Sequence, residues 1–128
     1  MATFQAIIPF DRLVELPRFQ TKKCESGIDP QNIIYLSAQG NYTLFHLKDG
    51  EQIITSLSLS VYVPLLEKHG FMRIHKSYLL NLHYLKQCRI HHYFSLTLPT
   101  GQILEIARRR RAIIKKTVRA YYNAKFSQ

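Results

Sequence analysis

The sequence predicts a mostly β fold with minor α, built from antiparallel sheets with one short central helix and a C-terminal helix. Three observations predict it. Short apolar runs rich in Ile, Leu, Tyr and Phe recur between residues 33 and 106 with turn residues between them. Two stretches, one spanning Leu59, Tyr62, Val63 and Leu66 and one beginning at Arg109, switch to the three-and-four spacing of a helix face. Gly40, Gly50, Gly70 and Gly101 fall where those runs end. At 128 residues the chain can bury one sizeable core, and a single domain is the default.

The elements follow in order. Residues 1–23 mix apolar side chains with Pro9 and Pro17 and read as an extended arm or short helix. A strand over residues 33–38 breaks at Gly40-Asn41, a pair suited to positive φ or to an Asx-type turn, and a second strand covers 42–47. Asp49-Gly50 predicts a type I′ hairpin, with residues 51–55 as the return strand. The helix that follows stops at Gly70 and starts at Ser58 or, because Pro64 is harmless only in a first turn, at Ser60. Strands are then expected over residues 71–75, 78–81, 84–90 and 93–98. After a Pro99-Thr100-Gly101 turn comes a last strand, 102–106. Ile114, Val118 and Tyr121 oppose Lys115, Lys116 and Arg119, the pattern of an amphipathic terminal helix.

Composition narrows the function classes. An apolar fraction of 46% describes a folded globular chain, and no apolar run approaches the roughly 20 residues of a membrane span. With no basic leader or cleavage site at its start, the chain reads as cytoplasmic, without a membrane partner. Cys24 and Cys88 are then expected as thiols rather than a bridge. Six histidines show neither a His-x3-His pair nor companion Cys-x-x-Cys spacing, so no metal and no cofactor are expected. Glycine-rich phosphate loops, a nucleophile elbow and paired carboxylates are missing as well. No catalytic residue and no small-molecule substrate are expected, and the chain does not read as an enzyme.

Charge points to a partner. The formal net charge is +10, yet residues 1–64 carry five basic and six acidic side chains. Residues 65–128 carry thirteen basic against two acidic, Glu67 and Glu105. Excess of one sign confined to one half fits a polyanion. Within it, Arg108, Arg109, Arg110 and Arg111 cannot all find carboxylates, and positive charge at a helix start opposes the macrodipole. Arginine instead offers a planar fork for phosphate or for guanine O6 and N7. The second constellation is Arg73-Ile74-His75-Lys76-Ser77-Tyr78-Leu79-Leu80-Asn81. If straight, it puts Arg73, His75 and Ser77 on one face; a turn at Lys76-Ser77 would change that. These groups can donate to phosphates, while His75 and Asn81 also suit holding a tight loop in shape.

Three blocks carry a resemblance: Asn32-Ile33-Ile34-Tyr35-Leu36-Ser37-Ala38-Gln39-Gly40-Asn41-Tyr42, then Phe71-Met72-Arg73-Ile74-His75-Lys76-Ser77-Tyr78-Leu79-Leu80-Asn81, then Glu105-Ile106-Ala107-Arg108-Arg109-Arg110. Together, in order and spacing, they resemble the LytTR DNA-binding domain of bacterial response regulators, over residues 18–122. Residues 1–17 are left as an arm and 123–128 as a tail. The resemblance implies an elongated, mostly antiparallel β fold whose loops, rather than a recognition helix, enter DNA. It implies base contacts from Asn41, Lys76 and Arg108, with Arg73, His75, Ser77, Arg109 and Arg110 as neighbours that position the DNA backbone. Family members commonly follow a receiver domain, and only 31 residues precede Asn32, where the first matching block begins here.

The expected function is a sequence-specific regulator of transcription that binds double-stranded DNA, two copies on repeated half-sites, as a homodimer on DNA. The alternatives are an RNA-binding module that stacks bases on some of the eight tyrosines, and an adaptor whose basic face docks an acidic protein.

Overall fold

Residues 33–39 string β-branched and aromatic side chains together, and in the computed structural model they form an inner strand of a sheet. The structure describes residues 4–8 and 28–126, in two units that divide between Tyr84 and Leu85. The first unit contains the strands β1 (Phe4–Ile8), β2 (Ile33–Gln39), β3 (Tyr42–Leu47), β4 (Gln52–Thr55), β5 (Phe71–His75) and β6 (Tyr78–Asn81). They form one sheet in the order β1-β4-β3-β2-β6-β5. Every neighbouring pair is antiparallel except β1 with β4, which is parallel. The arm thus holds a sheet strand at residues 4–8, whereas Cys24 and the rest of the arm lie outside the described residues.

Helix α1 (Leu59–Glu67) buries Leu59, Tyr62 and Leu66, one stripe at helical spacing. They join Ile33, Leu36, Phe45, Ile53, Phe71 and Leu79 in a single apolar cluster. Tyr62 meets Phe45 edge to face, with centroids 4.9 Å apart. Its buried hydroxyl donates to Thr55 Oγ1 at 2.9 Å, and Thr55 Oγ1 donates to the Thr43 carbonyl at 3.1 Å. Thr43 Oγ1 then donates to the Leu57 carbonyl at 2.8 Å. Two fully buried threonines are therefore satisfied, as burial of polar groups requires.

Several local expectations change. The helix starts at Leu59 with Ser58 as N-cap, earlier than Ser60, and Pro64 lies inside it. Pro64 and Ser60 share the exposed side of the helix, where water can take the carbonyl that the proline leaves without a donor. The Asp49-Gly50 turn is not type I′, because positive φ occurs at Gly50 (94°) and not at Asp49. The Gly50 N–H donates to the Leu47 carbonyl at 3.0 Å, and the Glu51 N–H donates to Asp49 Oδ1 at 2.9 Å. This makes a three-residue loop with glycine in the left-handed position. Residues 84–90 are not one strand. A 3-10 helix, Leu82–Gln87, comes first, its start shaped by Asn81 Oδ1 accepting the His83 N–H at 2.9 Å.

In the second unit β7 (Arg89–His91), β8 (Ser95–Thr97) and β9 (Ile103–Glu105) form an antiparallel sheet in chain order. A 3-10 turn, Arg108–Arg110, leads into α2 (Arg111–Phe126), which continues past residue 122 into the expected tail. Among the described residues of this unit, Leu85, Leu96, Leu98, Leu104, Ile106, Ile114 and Val118 are buried apolar side chains. The described fold is mostly β with minor α.

Candidate nucleic-acid interface

Two turns of the first unit come to the same end of its sheet. Gly40 and Asn41 join Gln39 to its partner Tyr42, with positive φ (63°) at Gly40 and not at Asn41. Glycine at the first central position marks a type II′ hairpin, and Asn41 at the second is exposed. Lys76 and Ser77 join β5 to β6. The Ala38 N–H donates to the Ser77 carbonyl at 2.9 Å, and Ser37 pairs with Tyr78. Because β2 and β6 are neighbours, the two turns lie side by side.

The turn at Lys76 is braced from within. Arg73 Nε donates to the His75 carbonyl at 3.1 Å, and Arg73 Nη2 donates to the Lys76 carbonyl. The Ser77 N–H donates to His75 Nδ1 at 3.0 Å, so that nitrogen acts as an acceptor without a proton. Register shifts between Arg73 and His75, so the segment is not straight, and the alternation expected for a straight strand does not apply. Asn81, fully buried, donates through Nδ2 to the Ile33 carbonyl at 2.8 Å and to the Pro30 carbonyl at 3.3 Å. It ties the far end of β6 to the start of β2. By contrast, the Lys76 side chain is exposed and bonded to no other described residue.

In the second unit the arginines have unlike fates. Arg108–Arg110 form a single 3-10 turn closed by the Arg110 N–H on the Ala107 carbonyl at 2.9 Å, with no side-chain cap. Arg108 and Arg109 are exposed and Arg110 half-exposed. None of the three side chains bonds another described residue. The guanidinium of Arg111 instead lies over the Phe94 ring, 3.9 Å from its centroid. On α2, Lys115, Lys116 and Arg119 are exposed. Sequence reasoning treated the four arginines as one run and missed the separate role of Arg111. It also missed the turn at His92-Tyr93, where both residues have positive φ (55° and 63°), because no turn-forming residue stands there.

A partly buried polar cluster lies in the first unit. Tyr35 stacks on His46 at 3.9 Å with their planes 2° apart. Gln52 Nε2 contacts His46 Nδ1 at 3.1 Å and Ser37 Oγ contacts Nε2 at 2.8 Å, so both ring nitrogens are engaged. Burial lowers the His46 pKa to about 4, and burial followed by the neighbouring Tyr78 raises that of Tyr35 to about 12. In the second unit, burial pushes the Cys88 thiol up to about 11. Among the described residues no His, Cys, Asp or Glu side chains group as a metal site requires, and no helix is long and apolar enough to cross a membrane.

No curated protein matches the chain. A solved structure, the LytTr DNA-binding domain of a methyl-accepting/DNA response regulator from Bacillus cereus, is similar in fold. Its TM-score is 0.61 at 20% identity, over 75% of this chain and 92% of that one. The family model described as LytTr DNA-binding domain matches residues 26–119. That span takes in both turns of the first sheet, the braced Arg73–Ser77 segment and the arginine turn, and the chain belongs to the LytTR family of DNA-binding domains.

Proposed function

We propose that this DNA-binding domain reads duplex sequence through three turns, with Asn41, Lys76 and Arg108 at base edges in successive grooves. The observation that carries the reading is a contrast among basic and polar side chains. Arg73 and His75 spend hydrogen bonds on their own loop, whereas Asn41, Lys76 and Arg108 are exposed at turns with no bond to another described residue. Asn41 can donate and accept at adenine, Lys76 can donate to guanine, and Arg108 has a fork suited to guanine O6 and N7. Arg73, His75 and Ser77 hold the loop beside the phosphates, and Arg109 and Arg110 grip them. The domain acts as a cytoplasmic regulator of transcription, two copies on half-sites about one helical turn apart, without catalysis of its own.

Selection from random duplexes tests this and is expected to return a repeated motif. With about five phosphates neutralised, log affinity falls with log salt at a slope near −4 to −5. Arg108→Ala relaxes preference at one base pair by about 1–3 kcal/mol. Equal loss on every duplex would make Arg108 a phosphate clamp, and a flat salt response with no motif would remove DNA reading altogether.

A further inference from the structure

The hairpin between β7 and β8 turns on His92 and Tyr93, both in the left-handed region (φ 55° and 63°), with the Phe94 N–H donating to the His91 carbonyl at 2.9 Å. That is the geometry of a type I′ turn, which favours Asn and Gly because a side chain there is strained. Strained positions of this kind persist where the surroundings hold them, and they cluster at functional sites. The surroundings here are cationic. Lys115 Nζ lies 5.9 Å from the Tyr93 ring centroid, and Arg111 lies 3.9 Å from that of Phe94.

Phe94 is connected to the arginine turn at both of its ends. Before the turn, the Ile106 N–H donates to the Phe94 carbonyl at 2.9 Å. After it, Arg111, whose own N–H donates to the Arg108 carbonyl, rests its guanidinium on the Phe94 ring. The Arg111 Nε is buried and has no hydrogen-bond partner among the described residues, and the Phe94 ring face is what this cation meets there. Phe94 itself is 54% exposed, so filling a core is not its main role. We infer that Phe94 is a positioning residue for DNA recognition: its ring clamps Arg111 and thereby fixes the Arg108–Arg110 turn that the proposed reading brings to a base edge. The inference rests on that reading for its consequence on DNA, while the clamp itself is measurable in the free protein.

The experiment compares Phe94→Ala, Phe94→Leu and Phe94→Tyr in the full chain, with circular dichroism and melting as checks of folding. In the free protein, amide exchange at Arg110 is expected to speed up about tenfold in the Ala and Leu variants and to stay near wild type with Tyr, since only an aromatic ring attracts the cation. Affinities are then measured on the duplex that wild type selects and on its single-base variants. Phe94→Ala and Phe94→Leu flatten preference at the base pair that Arg108→Ala flattens, from roughly 30-fold to under 5-fold, and Phe94→Tyr restores it. Preference at other positions stays, and the double variant Phe94→Ala with Arg108→Ala loses no more than Arg108→Ala alone. Unchanged exchange at Arg110, or Leu serving as well as Tyr, would overturn the clamp. So would faster exchange with base preference intact in a protein whose Arg108→Ala variant has lost it. If Arg108→Ala itself changes no preference, the reading of Arg108 falls, and the exchange data alone then support or overturn the clamp.

Discussion

The β5–β6 turn and the arginine turn present similar charge by different means. Around Lys76 the loop is held by side chains within four residues, Arg73 and His75, that bond its backbone directly. Around Arg108 no side chain caps the turn, and support comes from the backbone of Ala107 and from a cation resting on Phe94, fourteen residues earlier than Arg108. The first device is local and rigid, and the second depends on a sheet brought alongside. A basic cluster therefore has two kinds of member, those that shape a loop and those the loop displays, and hydrogen-bond partners tell them apart.

The largest expected difference between the two units is in acid. His46, in the first unit, has a folded pKa near 4 against an ordinary value of 6.5, so the unfolded chain takes up its proton first. Stability from neutral His46 is full above pH 6.5, falls as the pH drops through that window, and is lost near pH 4, up to about 3 kcal/mol in all. The shifted groups of the second unit, Cys88 and Tyr122, move upward and do not act in this window. Urea unfolding between pH 7 and 4, with His46→Gln as reference, should show a steep loss for wild type and a shallower one for the variant. Equal slopes would place the acid sensitivity elsewhere.

A smaller effect separates Arg73 from Arg108. Arg73→Ala removes two bonds to loop carbonyls and is expected to cost about 1–2 kcal/mol of stability. Arg108→Ala is expected to leave stability within about 0.5 kcal/mol, since its side chain bonds no other described residue. Denaturant midpoints measure both, and similar values would erase the distinction between shaping and displayed arginines. Smallest is Gly40→Ala, where a methyl group meets nothing within 4 Å but φ of +63° strains any side chain. A loss of about 1 kcal/mol is expected, with weaker preference at the base pair that the proposed reading gives to Asn41. No loss of stability would mean that the turn adopts another form at little cost.

Much of this molecule is legible along the chain. β5 and β6 occupy the expected residues because Phe71-Met72-Arg73-Ile74-His75 and Tyr78-Leu79-Leu80-Asn81 flank a short polar break. The stop at Gly70 is equally local, its φ of 87° being open to glycine. Residues 84–90 differ from the expected strand because Asn81 starts a 3-10 turn through its bond to the His83 N–H, which the composition of the segment, with Tyr84, Leu85 and Ile90 at its ends, does not encode. The roles of Arg73 and Arg111 were illegible for a related reason. Guanidinium groups in a row or a block look alike until the partners of each are known.

What the sequence by itself determined is the β-rich fold class, the two helices, the sites of the turns at Gly40, Gly50, Gly70 and Gly101 and the confinement of excess positive charge to residues 65–128. These depend on periodicity, backbone permissiveness and composition, all of which are local. Tertiary structure alone decided that residues 4–8 join the sheet parallel to β4, that the Asn41 and Lys76 turns stand side by side, and that Phe94 meets Arg111. Each of those joins positions far apart along the chain. Strand order and ring contacts arise from the packing of whole elements, which no local pattern contains.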